Sequence, residues 1–444
     1  MDPTLIVLLF VVNVDEVNTY NTAKRFCVSQ KYASSRVPLW RITVNEEVRI
    51  SGDPRFVNAA EAALALGVTV PTLYAYVGRK GIRTQRVPGS RQTNYWWPDI
   101  ERVRHKEKQS DRQQKQTGVT HETKITLMTQ RGPYYRGKSA LELARTHSLE
   151  AVAALLWDVD EAITFSARTM SVPKEFRTIQ KMLKHANPVD LATALFPFIE
   201  HVNPRAFDLS RNGMARTGAE LLRWYACIHS GLSRPDVGPI HETIAKALRV
   251  NRERADLIRC ILVLSADHGF EAGTYAVRAC ATAGVTPYRS VLAGLAVVTG
   301  RRSNAGRSEA VMRLLNEIAA EPEPERPIVR RLQDGTKVAG FGSSYYASGD
   351  PRALFLMNRY EQMFGDEKGF RKLKRAIAAV KELCDLEPDF VFANVYGHLR
   401  LGLEFKHSLF PLGRSVGWIA HSIEQFEAGE TTRASESYTG RLPS

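Results

Sequence analysis

The stretch Gly413-Arg414-Ser415-Val416-Gly417-Trp418-Ile419-Ala420-His421-Ser422-Ile423-Glu424-Gln425 decides how this chain is read. Two further landmarks precede it, Ser265-Ala266-Asp267-His268 and Gly349-Asp350-Pro351-Arg352. The pattern around them is helical. Ala140, Leu141, Leu143 and Ala144, then Val152, Leu155 and Leu156, recur at helical spacing. Leu221, Leu222, Trp224 and Tyr225 do the same, as do Ile258, Ile261, Leu262 and Leu264. From about residue 125 to the end the chain is therefore expected to be mainly helical. Glu321-Pro322-Glu323-Pro324-Glu325 ends one helix and opens an exposed acidic loop.

Length and charge bound the possibilities. A chain of 444 residues is long enough for two or three domains and a large core. Its net charge of +14 points toward a polyanion, nucleic acid or a phosphate-rich cofactor, although a basic but ordinary cytosolic protein has the same balance. The five cysteines, Cys27, Cys227, Cys260, Cys280 and Cys384, form no CxxC pair. They read as reduced, mostly buried thiols in a cytoplasmic setting, with no metal role. Leu5 to Val12 is apolar but far shorter than the roughly 20 residues of a membrane span, and no basic segment precedes it. Residues 1–52 fit either a small strand-rich extension or translation from a start placed too far upstream.

Residues 53–105 form a compact basic unit. Asn58-Ala59-Ala60-Glu61 is a capping-box pattern, and Gly67 is a suitable stop for the helix that follows. Thr69 caps a second helix with Pro71 in its first turn, running to about Gly78. Val87-Pro88-Gly89-Ser90 is a turn between two short extended runs. The segment resembles the winged helix-turn-helix of MerR and excisionase proteins, through EAA, LGV, TLYAYV, Gly81-Ile82-Arg83 and the closing Tyr95, Asp99, Ile100 and Glu101. From Arg55 to Thr117 there are twelve Lys or Arg against five Asp or Glu, an excess of seven. Such an excess suits phosphate contact. Thr72, Tyr74, Ala75, Arg79 and Lys80 are candidates for the major groove. Arg83, Arg86 and Arg91 are candidates for phosphate or the minor groove. Residues 106–124 are polar and rich in Gln, Lys and Thr, and read as a linker.

The landmarks quoted first resemble those of the citrate synthase family. Tyr135-Arg136-Gly137 and the segments Leu141–Ala144 and Leu149–Trp157 fall where that family has its early helices. The resemblance implies an all-helical, two-domain fold, here a large domain of residues 125–303 and 398–444 and a small domain of 304–397, with the site in the cleft between them and homodimers as the usual assembly. It also implies condensation of acetyl-CoA with oxaloacetate, in which an Asp and two His move or stabilise charge and arginines hold carboxylates. His268, Arg352, Arg414 and Arg433 match the family's substrate-binding positions. Its catalytic positions are occupied by Ser303, Ser343 and Val391, none of which titrates near neutral pH. Asp389 and His398 lie nearest to Val391 in sequence as substitutes, and a two-residue displacement on a helix turns a side chain by about 200°. Arg301, Arg302 and Arg307 form either a coenzyme A phosphate contact or a solvated basic loop.

The expectation is a cytoplasmic DNA-binding regulator whose decayed catalytic domain senses a di- or tricarboxylate or an acyl-CoA. No cofactor is required, although a coenzyme A ester is a possible ligand. The alternatives are an active citrate synthase or related acyl-CoA-condensing acyltransferase, and an inactive subunit paired with an intact citrate synthase.

Overall fold

The computed structural model describes residues 56–103, apart from 88, 91, 98, 101, 102 and the side chain of 79, and residues 122–166, 170–403 and 409–429. The readings made for residues 1–52, for Arg91 and Arg433, and for nearly all of the 106–124 linker fall outside them.

The N-terminal unit has its own small core, built on Val57, Ala62, Leu73, Ile82, Tyr95, Trp97 and Ile100. Helix α1 (Ala59–Leu66) starts on the expected capping box: the Asn58 side chain accepts from the Glu61 amide and the Glu61 carboxylate accepts from the Asn58 amide. Gly67 ends it in the left-handed region, where a side chain would be strained. Helix α2 (Val70–Lys80) starts at Thr69 with Pro71 in its first turn. It runs two residues past Gly78 and stops at Gly81, which takes the left-handed conformation instead. The two helices bend by 87°. An antiparallel sheet completes the unit, with β3 (Thr93–Trp96) between β1 (Phe56–Val57) and β2 (Thr84–Arg86). The strand β1 was not foreseen.

The expected helical run from residue 125 instead opens with a second antiparallel sheet, β4 (Thr126–Thr129), β5 (Gly132–Tyr135) and β6 (Lys138–Ser139). The Gly132-Pro133 pair and the left-handed Arg136 and Gly137 break any helical register there. Beyond this sheet the chain is mainly helical. The helices that position the site are α3 (Ala140–Thr146), α4 (Leu149–Trp157), α5 (Arg211–His229), α6 (Arg252–Ser265), α7 (Ala272–Ala281), α8 (Pro287–Val298), α9 (Asn304–Ala320), α10 (Pro351–Phe364), α11 (Lys368–Cys384), α12 (Phe390–Arg400) and α13 (Phe410–Ala428). The acidic run after Ala320 does end α9. No single described helix is long and apolar enough to cross a membrane.

Helix α13 is the centre of the main core and is buried on nearly every side. Its hydroxyls do not need outside partners, because Ser415 and Ser422 donate to the carbonyls one turn back, at Pro411 and Trp418. The indole of Trp157 on α4 donates to Val416 O at 2.9 Å. The end of α6 comes close enough for Gly417 N to donate to Ala266 O at 3.0 Å. A Cβ on Gly417 would stand 2.4 Å from that oxygen, and one on Gly413 would stand 2.6 Å from Leu262 O. Two glycines four residues apart thus open one face of α13 to the backbone of α6. A smaller core of Leu314, Ile318, Ile328, Val338, Ala376 and Val380 joins α9 and α11, whereas α10 and α12 pack into the main core.

Of the four described cysteines, Cys227 and Cys260 are buried and Cys280 and Cys384 partly so. Burial pushes the Cys227 thiol up to about 12, which makes it inert.

The substitution Gly417→Ala should destabilise the fold by about 1–3 kcal/mol through overpacking against a backbone carbonyl that has no side-chain freedom to relax. Thermal unfolding measured beside Gly402→Ala checks this, since a Cβ at Gly402 meets open space and only backbone strain is added there.

Candidate functional site

The same close approach places His268. Beyond the end of α6 the chain turns at Ala266, and the Tyr135 hydroxyl on β5 accepts from Asp267 N at 3.2 Å and donates toward Asp267 O and Val263 O. Burial alone would raise the Asp267 carboxyl. The opposing pull of His421, 3.4 Å away and also fully buried, together with Arg414 holds it at about 2. Next to it, His268 bonds through Nε2 to the Tyr346 hydroxyl at 2.8 Å, leaving Nδ1 outside that bond. Burial, reinforced by the Arg352 and Arg414 charges, holds His268 well below its ordinary value, so the ring is neutral at pH 7.

Tyr346 belongs to the turn that contains Ser343. The Ser343 hydroxyl accepts from Tyr345 N at 3.1 Å and from Tyr346 N at 3.0 Å, closing the turn. The Gln130 amide clamps it from β4–β5, donating to Tyr345 O at 2.8 Å and accepting from Ala347 N at 2.9 Å. Ser343 and His268 are therefore linked through a single tyrosine.

Arg352 follows from the capping chemistry of Gly349-Asp350-Pro351-Arg352. Asp350 caps α10 by accepting from the Arg352 amide at 3.0 Å, and Pro351 occupies the first turn. The Arg352 guanidinium folds back onto the same carboxylate through Nε at 3.1 Å and Nη2 at 2.7 Å, and lies 4.2 Å from the Phe390 ring centroid. Arg414 is 1% exposed. Its Nε donates to Ser265 O at 2.8 Å and its Nη1 to the Glu271 carboxylate. Glu271 stands at the N-terminus of α7 but makes no side-chain capping bond there. Sequence reasoning missed both Tyr346 and Glu271 as partners of the site. Arg414 and Glu271 are 143 residues apart, and neither local pattern marks the pairing.

Ser303 precedes α9, Ser343 lies in the turn before α10, and Val391 is in the first turn of α12. Phe341 pairs with Pro388, Gly342 N donates to Glu387 O at 2.9 Å, and Asp389 N donates to Gly340 O at 2.8 Å. These antiparallel contacts tie residues 340–342 to residues 387–389, just before α12, whose first turn carries the partly buried Val391, packed on the main core. Ser303 stands at the N-terminus of α9 with no capping bond. One turn on, Arg307 donates to Asp389 at 2.5 Å. The Asp389 carboxylate is raised by burial and is committed twice, to Arg307 and as the cap accepting from Phe392 N at 2.9 Å. His398 is occupied as well. Its Nδ1–H donates to Asn394 O at 2.6 Å and its Nε2 accepts from Leu409 N at 2.7 Å. Burial lowers it to about 4, the state of a neutral structural histidine.

In the N-terminal unit, α2 carries Tyr74 at 57% exposure, with Ala75 and Lys80 also exposed. The Lys80 ammonium lies 5.6 Å from the Tyr76 ring centroid. Thr72 exchanges a 2.9 Å hydroxyl bond with the cap Thr69. Arg79 lies on α2 between these residues. Arg86 is exposed on β2. The Arg83 guanidinium is held by Asp99, at 2.9 Å through Nε and 3.3 Å through Nη2, and lies 4.8 Å from the Trp96 ring centroid.

The buried histidine yields a test. A folded value of about 4 against an ordinary value near 6.5 means that His398 contributes its full stability above pH 6.5 and loses it as the pH falls toward 4. Urea unfolding followed between pH 6 and 4.5 should show the wild type losing up to about 1.4 kcal/mol per pH unit more than His398→Gln.

The family profile described as "Citrate synthase, C-terminal domain" matches residues 116–435. Citrate synthase 2 of Bacillus subtilis (strain 168) is 26% identical over 336 residues, covering 69% of this chain and 90% of that protein. Among solved structures, the citrate synthase of Thermotoga maritima MSB8 has a TM-score of 0.62 at 22% identity, covering 74% of this chain and 96% of its own. That of Thermoplasma acidophilum, in ternary complex with carboxymethyl coenzyme A and oxaloacetate, has a TM-score of 0.62 at 17% identity, covering 75% and 97%. With a match that spans most of its length, this chain belongs to the citrate synthase family.

Proposed function

We propose that this protein is a ligand-sensing member of the citrate synthase family that has lost condensing activity and acts through DNA. The carrying observation is the contrast within one cleft: neutral His268 and the buried arginines Arg352 and Arg414 stand together, while Ser303, Ser343 and Val391 occupy the positions that resemble the family's catalytic His, His and Asp. Each general acid–base group contributes roughly 10²–10⁴-fold, so the loss of all three leaves little turnover. A carboxylate or acyl-CoA held between residues 125–303 with 398–444 and residues 304–397 is the signal in this reading, and Arg433 is a further contact to it. The working unit is a homodimer in the cytoplasm.

Residues 53–105 are the DNA-binding head, read as a winged helix-turn-helix. Two capped helices bent by 87° around a Gly turn, followed by an antiparallel ribbon, support this reading. Exposed Tyr74 and Lys80, with Thr72 and Arg79, would face the groove. Arg83 joins the phosphate contacts only by sharing a guanidinium already tied to Asp99, so Arg86 and Arg91 are the better wing contacts.

One observation favours an active enzyme instead. Asp389 is a buried carboxylate with a raised pKa beside Val391, which is the environment a general base needs. Its two existing bonds oppose that role. Pairing with an intact citrate synthase, whose site this subunit would complete, is the remaining alternative.

The purified protein should release coenzyme A from acetyl-CoA and oxaloacetate at the background rate, and the Ser303→His, Ser343→His, Val391→Asp triple variant should exceed it. Wild-type turnover clearly above background would make the protein an enzyme. Fluorescence anisotropy with duplex DNA should show binding whose affinity changes with oxaloacetate, citrate or acetyl-CoA. Arg86→Ala should weaken it on every sequence and lower the salt slope by about one.

A further inference from the structure

Glu271 is a carboxylate already seated on a candidate carboxylate-binding arginine. It begins α7 yet leaves the helix N-terminus uncapped, and turns to Nη1 of Arg414. Arg414 is almost fully buried, and its Nε is already used by Ser265 O. Arg352 is matched in the same way by Asp350, which takes Nε and Nη2 and leaves Nη1 outside the pair. Each guanidinium thus meets one internal carboxylate before any ligand arrives. The two pairs are not equivalent. Asp350 lies two residues from Arg352 and also caps α10, so its position is part of the helix start. Glu271 is 35% exposed, comes from a different helix, and has no other bond that holds it on Arg414.

A ligand with two carboxylates would place one beside Arg414 and so beside Glu271. Two carboxylates competing for one buried guanidinium repel each other. A ligand with one carboxylate avoids this conflict: its carboxylate meets Nη1 of Arg352, and its carbonyl oxygen meets Nδ1 of neutral His268. We propose that Glu271 is the selectivity residue of this cleft, occupying Arg414 in place of a second ligand carboxylate, and that the cleft takes 2-oxo monocarboxylates in preference to 2-oxo dicarboxylates. The proposal rests on the reading of His268, Arg352 and Arg414 as ligand groups, and names the class of ligand they accept.

Calorimetric titration of the full chain with pyruvate and with oxaloacetate tests it, using wild type, Glu271→Gln and Glu271→Asn. The shorter amide keeps the question open if glutamine disturbs α7, and unfolding temperatures confirm that both variants are folded. Wild type should bind pyruvate more tightly than oxaloacetate. Either variant should gain about tenfold or more for oxaloacetate and less than about threefold for pyruvate, a tenfold change being the effect of a single removed charge contact. If wild type binds oxaloacetate as tightly as the variants do, Glu271 sets no selectivity and this proposal is overturned, while the cleft remains a carboxylate site. If neither 2-oxo acid binds any of the three proteins, the ligand reading of the cleft fails along with it.

Discussion

The site depends on how closely α6 and α13 approach. Gly417 N donates to Ala266 O across a gap that a methyl group would close, and Gly413 keeps the Leu262 carbonyl equally near. That contact sets where α6 ends and hence where Asp267 and His268 begin. It also places Arg414, which lies between the two glycines, against Ser265 O. A buried guanidinium could not hold this position without the carbonyl and carboxylate that meet it, because an unpaired buried charge is too costly. One packing decision between two helices therefore places a histidine and an arginine together.

Several charged and polar groups in this part of the chain find partners within it. Asp350 holds Arg352, Glu271 holds Arg414, Asp389 holds Arg307, and Tyr346 holds His268. Ser343 is used as a turn cap, a task that needs an acceptor but no titration. Val391, in the first turn of α12, is partly buried against apolar side chains rather than facing a charged partner. The charges of Arg352, Arg414 and Arg307 are thus met by carboxylates from the chain itself.

Much of the local structure was legible because its causes are local. The capping box at Asn58 and Glu61, the stop at Gly67, Thr69 with Pro71, and the acidic stop after Ala320 all act within four residues. The apolar spacing at 140–144, 152–156, 221–225 and 258–264 pointed to helices, and each run lies inside one, at 140–146, 149–157, 211–229 and 252–265. The reading erred where that spacing is silent. The sheet of β4–β6 is built from short runs closed by Arg136 and Gly137 at positive φ, and β1 has only two residues, so its existence depends on the partner strand β3.

The candidate site divides in the same way. The identities of His268, Arg352 and Arg414, and the absence of titrating groups at 303, 343 and 391, are properties of the chain as written. Which partner each group finds is not, because the partners arrive from far along the chain: Tyr346 lies 78 residues from His268, and Glu271 lies 143 from Arg414. Composition and spacing settle which chemistry is present, since a valine cannot ionise in any fold. Long-range packing settles which charges are already neutralised, since a guanidinium binds whatever carboxylate the fold brings to it.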